Sequence, residues 1–129
     1  MKWLYNLFKN NNKEYFKDFS IISTDIHSHL IPSIDDGSKD LETSINIIKK
    51  LRDLGFKKII TTPHVMSDLY RNDSKTIING LKVLQQEVIK QKIDINLSAA
   101  AEYYVDYEFV QNIGKKDFLT FGNNFLLIE

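Results

Sequence analysis

From residue 21 onward, short β-branched runs alternate with longer stretches whose apolar residues recur at helical spacing, and this alternation leaves few architectures open. Ile21-Ile22-Ser23-Thr24-Asp25-Ile26 predicts a first strand. Leu41, Ile45, Ile48, Leu51 and Leu54 predict a helix, with Asp40 or Ser38 as its cap and Gly55 as its stop. Residues 57–62 predict a second strand ended by Pro63, and a polar loop then reaches Asp73-Ser74. A second helix follows, with Ile77, Leu81, Leu84 and Val88 along one face. Residues 93–98 predict a third strand, 104–113 a shorter helix ended by Gly114, and 125–128 a fourth strand. Strands joined by helices of this length pair in parallel through right-handed crossovers, so the expected fold class is α/β.

The chain has 129 residues, room for one domain. Residues 1–20 stand apart from residues 21–129. Trp3, Leu4, Leu7 and Phe8 form a short amphipathic stretch, which passes through Asn10-Asn11-Asn12 to Tyr15, Phe16 and Phe19. This reads as an N-terminal helical arm and linker that pack aromatics on the main domain. The thin basic face disfavours a membrane-surface helix. Four βα units cannot close a barrel that normally needs seven or eight. The expectation is therefore the first half of a longer fold: a fragment, a truncated product, or half of an assembly.

Lysine plus arginine and aspartate plus glutamate each number 17, so the net charge is zero and no basic excess exists to drive nucleic-acid or anionic-lipid binding. Apolar runs such as 125–128 fall far short of the roughly 20 residues that span a bilayer. The first residues have no cleavage site of the secretory kind. There is no cysteine, which removes disulfides, thiolate metal sites and cysteine nucleophiles together. The composition fits a reducing cytoplasm.

The chemistry is concentrated at Asp25-Ile26-His27-Ser28-His29, followed by Asp35-Asp36-Gly37. In an extended segment His27 and His29 project to one side, a ready chelate for a divalent cation. The three histidines of the chain are His27, His29 and His64, and each follows a predicted strand. One such histidine is an ordinary polar residue. All three at equivalent places in successive βα units point to a metal site, because strand-end loops in parallel α/β folds share one face. Glu102 and Glu129 end the third and fourth predicted strands and join that face.

Asp25-Ile26-His27-Ser28-His29-Leu30-Ile31-Pro32, Asp35-Asp36-Gly37, Thr62-Pro63-His64 and Ala100-Ala101-Glu102-Tyr103-Tyr104 resemble the motifs of the PHP (polymerase and histidinol phosphatase) superfamily. Within it they are most similar to the bacterial manganese-dependent tyrosine phosphatases of capsule and exopolysaccharide clusters, over about residues 22–129. The resemblance implies a distorted (β/α)7 barrel, of which this chain would form the first four βα units. It also implies up to three ions at the strand C-termini: His27 and His29 on the first, Glu102 bridging first and second, Glu129 on the second, and Asp36 with His64 on the third. Asp25 and Asp35 would stand behind the ligands, and Gly37 would permit the tight turn after Asp36. The family's further histidine, its final Asp-x-His pair and its phosphate-holding arginines have no match before Glu129.

Carboxylates mixed with imidazoles suit Mn²⁺, with Fe²⁺, Zn²⁺ and Co²⁺ as alternatives. Such ions about 3.5–4 Å apart clamp phosphate oxygens and acidify a water, so that a metal-held hydroxide attacks phosphorus in line. The resemblance implies protein phosphotyrosine as substrate, carried by a bacterial tyrosine autokinase through which alone the protein would meet the membrane. The alternatives are a phosphoesterase acting on a small molecule such as histidinol phosphate, and a non-catalytic metal-binding half. Arg71 is a candidate phosphate contact, although a solvated loop arginine is the plainer reading. Tyr103, Tyr104 and Tyr107 read as helix-packing residues, and the paired lysines as solvated faces. An uncapped sheet edge beside residue 125 would favour self-association.

Overall fold

The computed structural model describes residues 18–129, so the N-terminal arm expected over 1–20 falls, up to residue 17, outside the described residues. In chain order the elements are β1 (Thr24–Asp25), α1 (Leu41–Asp53), β2 (Lys58–Thr61), β3 (His64–Val65), α2 (Ser74–Lys90), β4 (Asn96–Ala99), β5 (Glu102–Tyr103), α3 (Tyr107–Asn112) and β6 (Leu127–Ile128). The α/β alternation stands, and every strand pairing is parallel. No helix among the described residues is long and apolar enough to cross a membrane.

The strands form two ladders, β1-β2-β4 and β3-β5-β6. One runs into the other: Thr62-Pro63 joins β2 to β3, and Ala100-Ala101 joins β4 to β5. Backbone bonds carry the pairing across both breaks, from Ala100 N to the Thr61 carbonyl (2.9 Å) and from Glu102 N to the Pro63 carbonyl (3.0 Å). Pro63 has no N–H to donate, so the ladder breaks there while its carbonyl still accepts. Strand order follows chain order in both ladders.

Local chemistry explains the helices. Asp40, Asp73 and Asp106 cap α1, α2 and α3, accepting from the backbone N–H of Thr43, Thr76 and Phe109 at 2.7 Å each. Asp40 is thus the cap of α1; Ser38 is buried instead. Helix α1 ends at Gly55 (φ +103°) with Gly55 N donating to Arg52 O and Phe56 N to Leu51 O, the paired bonds of a glycine stop. The apolar faces of α1 (Ile45, Ile48) and α2 (Ile77, Leu81, Leu84, Val88) bury against Ile59 and Leu97 of the sheet. Each such side chain contributes about 1.5–3 kcal/mol when fully buried.

Several strand expectations need correction. The first strand is only Thr24–Asp25, because Ile22 N and Ser23 N both bond to the Phe19 carbonyl in a turn that leaves Ile21 94% exposed. The third begins at Asn96, since Ile93 N returns to the Val88 carbonyl after α2. The short helix starts at Tyr107, where Asp106 caps it. The fourth strand is Leu127–Ile128, and Phe125 lies outside it, bridged back to Phe121 and 62% exposed. Of the arm's aromatics, Phe19 is described, and it stacks on Phe56 with ring centres 5.5 Å apart.

Candidate metal centre

The two short strands that sequence periodicity missed hold two of the central side chains. His64 opens β3 and Glu102 opens β5, and the two are direct partners in the parallel register. Side chains alternate along a strand, so His64 and Glu102 share one face while Val65 and Tyr103 turn to the other. His64 and Glu102 thereby come side by side, with His64 Nδ1 3.3 Å from Glu102 Oε2. From the β1 end, His29 Nε2 approaches Glu102 Oε2 at 3.2 Å and His27 Nε2 approaches Oε1 at 3.7 Å. Asp36 Oδ1 lies 3.5 Å from His64 Nε2, and Glu129 Oε2 lies 3.5 Å from His64 Nδ1.

Three overlapping groups result: His27, His29 and Glu102; His29, Asp36 and His64; His64, Glu102 and Glu129. Within each, one ligand atom per residue lies within 4.8 Å of the others. All six residues expected to hold metal therefore converge, with the largely buried Glu102 at the centre. Two groupings were not expected: His29 also faces the Asp36 side, and His64 also faces Glu129.

The surroundings fix the rings. Asp35 Oδ2 accepts from His29 Nδ1 at 2.8 Å and from His64 N at 3.0 Å, while Oδ1 accepts from Gly37 N at 3.0 Å. A carboxylate only accepts, so His29 carries its proton on Nδ1 and turns the Nε2 lone pair toward Glu102. The Asp35 bond raises the His29 pKa against the opposing effect of burial. Burial pushes the Asp35 carboxyl up, yet the bonds from His29, Gly37 and His64 outweigh it and leave it below the ordinary range. His27 Nδ1 pairs with Thr62 Oγ1 at 2.9 Å. Thr61 Oγ1 donates to the Ser28 carbonyl and accepts from Leu30 N, tying down the segment between the two β1-end histidines.

These atoms fit a metal set. Nitrogen and oxygen ligands about 2.0–2.2 Å from a common ion stand roughly 3 Å apart, close to the His–Glu102 separations here. His64 Nδ1 is buried without a hydrogen-bond partner, an arrangement that costs free energy unless something else meets the nitrogen.

The remaining candidates lie elsewhere. Asp25 sits on β1 outside all three groups, with Oδ2 buried and unpartnered. Arg71 lines a cleft of about 500 Å³ with Val65, Tyr103, Tyr104, Phe109 and Lys116, and none of the six ligand candidates lines it. Tyr103 is buried against Phe109 and Phe118, and its hydroxyl accepts from Leu119 N at 2.8 Å; burial raises its pKa. Tyr104 and Tyr107 are exposed. Gly37 shows no positive φ; what it provides is room, because a Cβ there would run into the Cβ and carbonyl of His29. Sequence reasoning passed over Thr61, Tyr70 and Asn72, and carried Thr62 only as the first residue of the Thr62-Pro63-His64 motif, without a role of its own. The one available signal for Thr61 was that it adjoins that motif.

The family model for capsular polysaccharide synthesis, CpsB/CapC, matches residues 23–129. The chain is 29% identical over 106 residues to the tyrosine-protein phosphatase YwqE of Bacillus subtilis, covering 81% of this chain and 42% of YwqE. It is 27% identical over 106 residues to the tyrosine-protein phosphatase CpsB of Streptococcus agalactiae, covering 81% of this chain and 44% of that protein. A crystal structure from work on YwqE of Bacillus subtilis and CpsB of Streptococcus pneumoniae, metal-dependent tyrosine phosphatases, matches with TM-score 0.72 and 29% identity over 81% of this chain and 43% of that one. The chain thus spans less than half the length of the curated relatives it matches. With its parallel α/β wall and six converging ligand candidates, the chain belongs to the CpsB/CapC family of capsular polysaccharide synthesis.

Proposed function

We propose that the whole protein is a metal-dependent phosphatase acting on phosphotyrosine in a protein substrate, with a bacterial tyrosine autokinase of capsule or exopolysaccharide synthesis as that substrate. The observation that carries this reading is the convergence of three imidazoles and three carboxylates at the strand ends, together with relatives named tyrosine-protein phosphatases. The complete fold is taken to be a (β/α)7 barrel, of which residues 21–129 form the first four units, with residues 1–20 as an arm. Its setting is the cytoplasm.

His27, His29 and Glu102 would hold one ion, Glu102 and Glu129 a second, and Asp36 with His64 a third; Mn²⁺ is the preferred metal. When bound, such ions polarise phosphoryl oxygens and acidify water. The protein's own share is orientation. Asp35 holds the His29 tautomer, and Thr62 steadies His27. The His64 ring stands between the two sides, with Nε2 toward Asp36 and Nδ1 toward Glu102 and Glu129. A phenolate of conjugate-acid pKa about 10 leaves readily. Arg71 remains a candidate phosphate contact; it lines a cleft whose wall includes Asn72, Val65 and Tyr103, next to His64 and Glu102.

Loading the purified protein with Mn²⁺ and assaying a phosphotyrosine peptide beside histidinol phosphate tests the substrate class. Turnover of histidinol phosphate alone would overturn it. His27→Ala should lower bound Mn²⁺, measured by elemental analysis, while far-UV circular dichroism stays unchanged. An unaltered metal content would remove His27 from the ligand set.

A further inference from the structure

The polar loop between β3 and α2 returns to the metal centre at residues 70 and 72. The Tyr70 ring stacks on the His64 ring, with centres 5.5 Å apart and planes 11° from parallel. The Asn72 side-chain amide donates to two backbone carbonyls, His64 O at 2.8 Å and Ile34 O at 2.9 Å. The first carbonyl belongs to a ligand candidate, and the second lies two residues before Asp36. The loop is closed on itself by Met66 N and Asn72 N, which both donate to the Tyr70 carbonyl at 2.9 and 2.7 Å. Arg71, between these two residues, lines with Asn72 the cleft described above.

We infer that Tyr70 and Asn72 are positioning residues that hold His64 and Asp36 in register as one metal-binding pair. Asp36 lies in the loop between β1 and α1 while His64 opens β3, and no strand pairing joins the 34–36 segment to β3. What joins them is Asn72, whose two amide hydrogens span the two carbonyls, and Asp35, whose Oδ2 takes the His64 N–H. The Asn72 bridge fixes where the two backbones stand, and the Tyr70 stack fixes the plane of the imidazole. With both in place, His64 Nε2 faces Asp36 Oδ1 at 3.5 Å. Without them, the imidazole is free to rotate about its χ2 torsion, which is broad for such rings, and the 34–36 loop is free to draw back. Groups that orient ligands in this way typically change metal affinity by about ten- to hundredfold when removed. The inference rests on the metal-binding reading above and deepens it.

The test is a Mn²⁺ titration of the full chain, followed by calorimetry and by the paramagnetic signal of free Mn²⁺. His64→Ala serves as the reference for loss of the His64–Asp36 position. Asn72→Ala and Tyr70→Ala should each weaken one class of Mn²⁺ site at least about tenfold. That class should be the one His64→Ala removes, with the His27–His29–Glu102 class little changed. Tyr70→Phe keeps the stacking ring and should titrate like the unmodified protein. In the metal-free protein, Tyr70→Ala should also move the His64 ring resonances, which lose the ring current of the stacked phenol, while those of His27 stay in place.

If Asn72→Ala and Tyr70→Ala both titrate like the unmodified protein while His64→Ala loses a site, the inference fails and the metal reading survives. An equal weakening of every site class would reassign the loop to general stability and also overturn it. If the unmodified protein takes up no Mn²⁺, the metal reading fails with it. Should Asn72→Ala fail to fold, the Tyr70→Ala and Tyr70→Phe pair decides the matter.

Discussion

Asp35 offers the clearest perturbation, because its carboxylate joins three chain segments and its side chain is fully buried. It receives His29 Nδ1 and His64 N on Oδ2, and Gly37 N on Oδ1. Asp35→Asn keeps the shape. Its carbonyl oxygen can occupy the Oδ2 place and preserve both histidine bonds, so that only the Gly37 bond is opposed. Gly37 is exposed and can turn to water, which limits the cost to about 1 kcal/mol. Asp35→Ala removes both acceptor oxygens. Two part-buried donors then go unmet at about 1–3 kcal/mol each, so roughly 2–6 kcal/mol of stability should disappear. His29 also becomes free to change tautomer and present Nε2–H to Glu102, which should weaken metal binding about ten- to hundredfold. Urea unfolding of the metal-free protein reads the first effect, and Mn²⁺ calorimetry reads the second. Equal midpoints for Asn and Ala, or an Ala variant within about 0.5 kcal/mol of the unmodified protein, would refute the claim that these hydrogen bonds set the loop.

Two further outcomes follow from the same geometry. Gly37→Ala drives a methyl into the His29 Cβ and carbonyl, so the loop must shift; it should cost about 1–3 kcal/mol in urea and lower Mn²⁺ affinity, and an unchanged titration would contradict the contact. The metal-free protein should show a pH window. His29 has a raised pKa, so its contribution is complete below about 6.5 and drains away as pH rises through the folded value; Asp35 has a lowered pKa, so its contribution is present above about 3.9 and is lost as pH falls. Unfolding midpoints should decline on the alkaline side of that window, and Asp35→Ala should flatten the decline.

Where sequence reasoning stopped short, the causes are particular. Ile21 and Ile22 have strand propensity, but the Phe19 carbonyl captures the N–H groups of Ile22 and Ser23 in a turn, a choice that periodicity does not register. Pro63 read as the end of a strand. It lies instead in a two-residue break, Thr62-Pro63, after which His64 and Val65 rejoin a ladder through partners on β5 that lie far along the chain. Gly37 read as a turn residue, whereas its lack of a Cβ accommodates His29, eight residues back in the same loop.

The sequence alone determined the inventory. Short β-branched runs, amphipathic helices with aspartate caps, and histidines or carboxylates just beyond strand-forming runs are local properties. Helix caps, side-chain period and ligand chemistry act within a few residues. Tertiary structure alone decided which atoms meet. Parallel register set His64 beside Glu102, the fold brought His27 and His29 to the Glu102 carboxylate and Glu129 to His64, and the loop return placed Tyr70 and Asn72 against His64. Those distances depend on pairing between segments remote along the chain, and no local pattern of residues encodes that pairing.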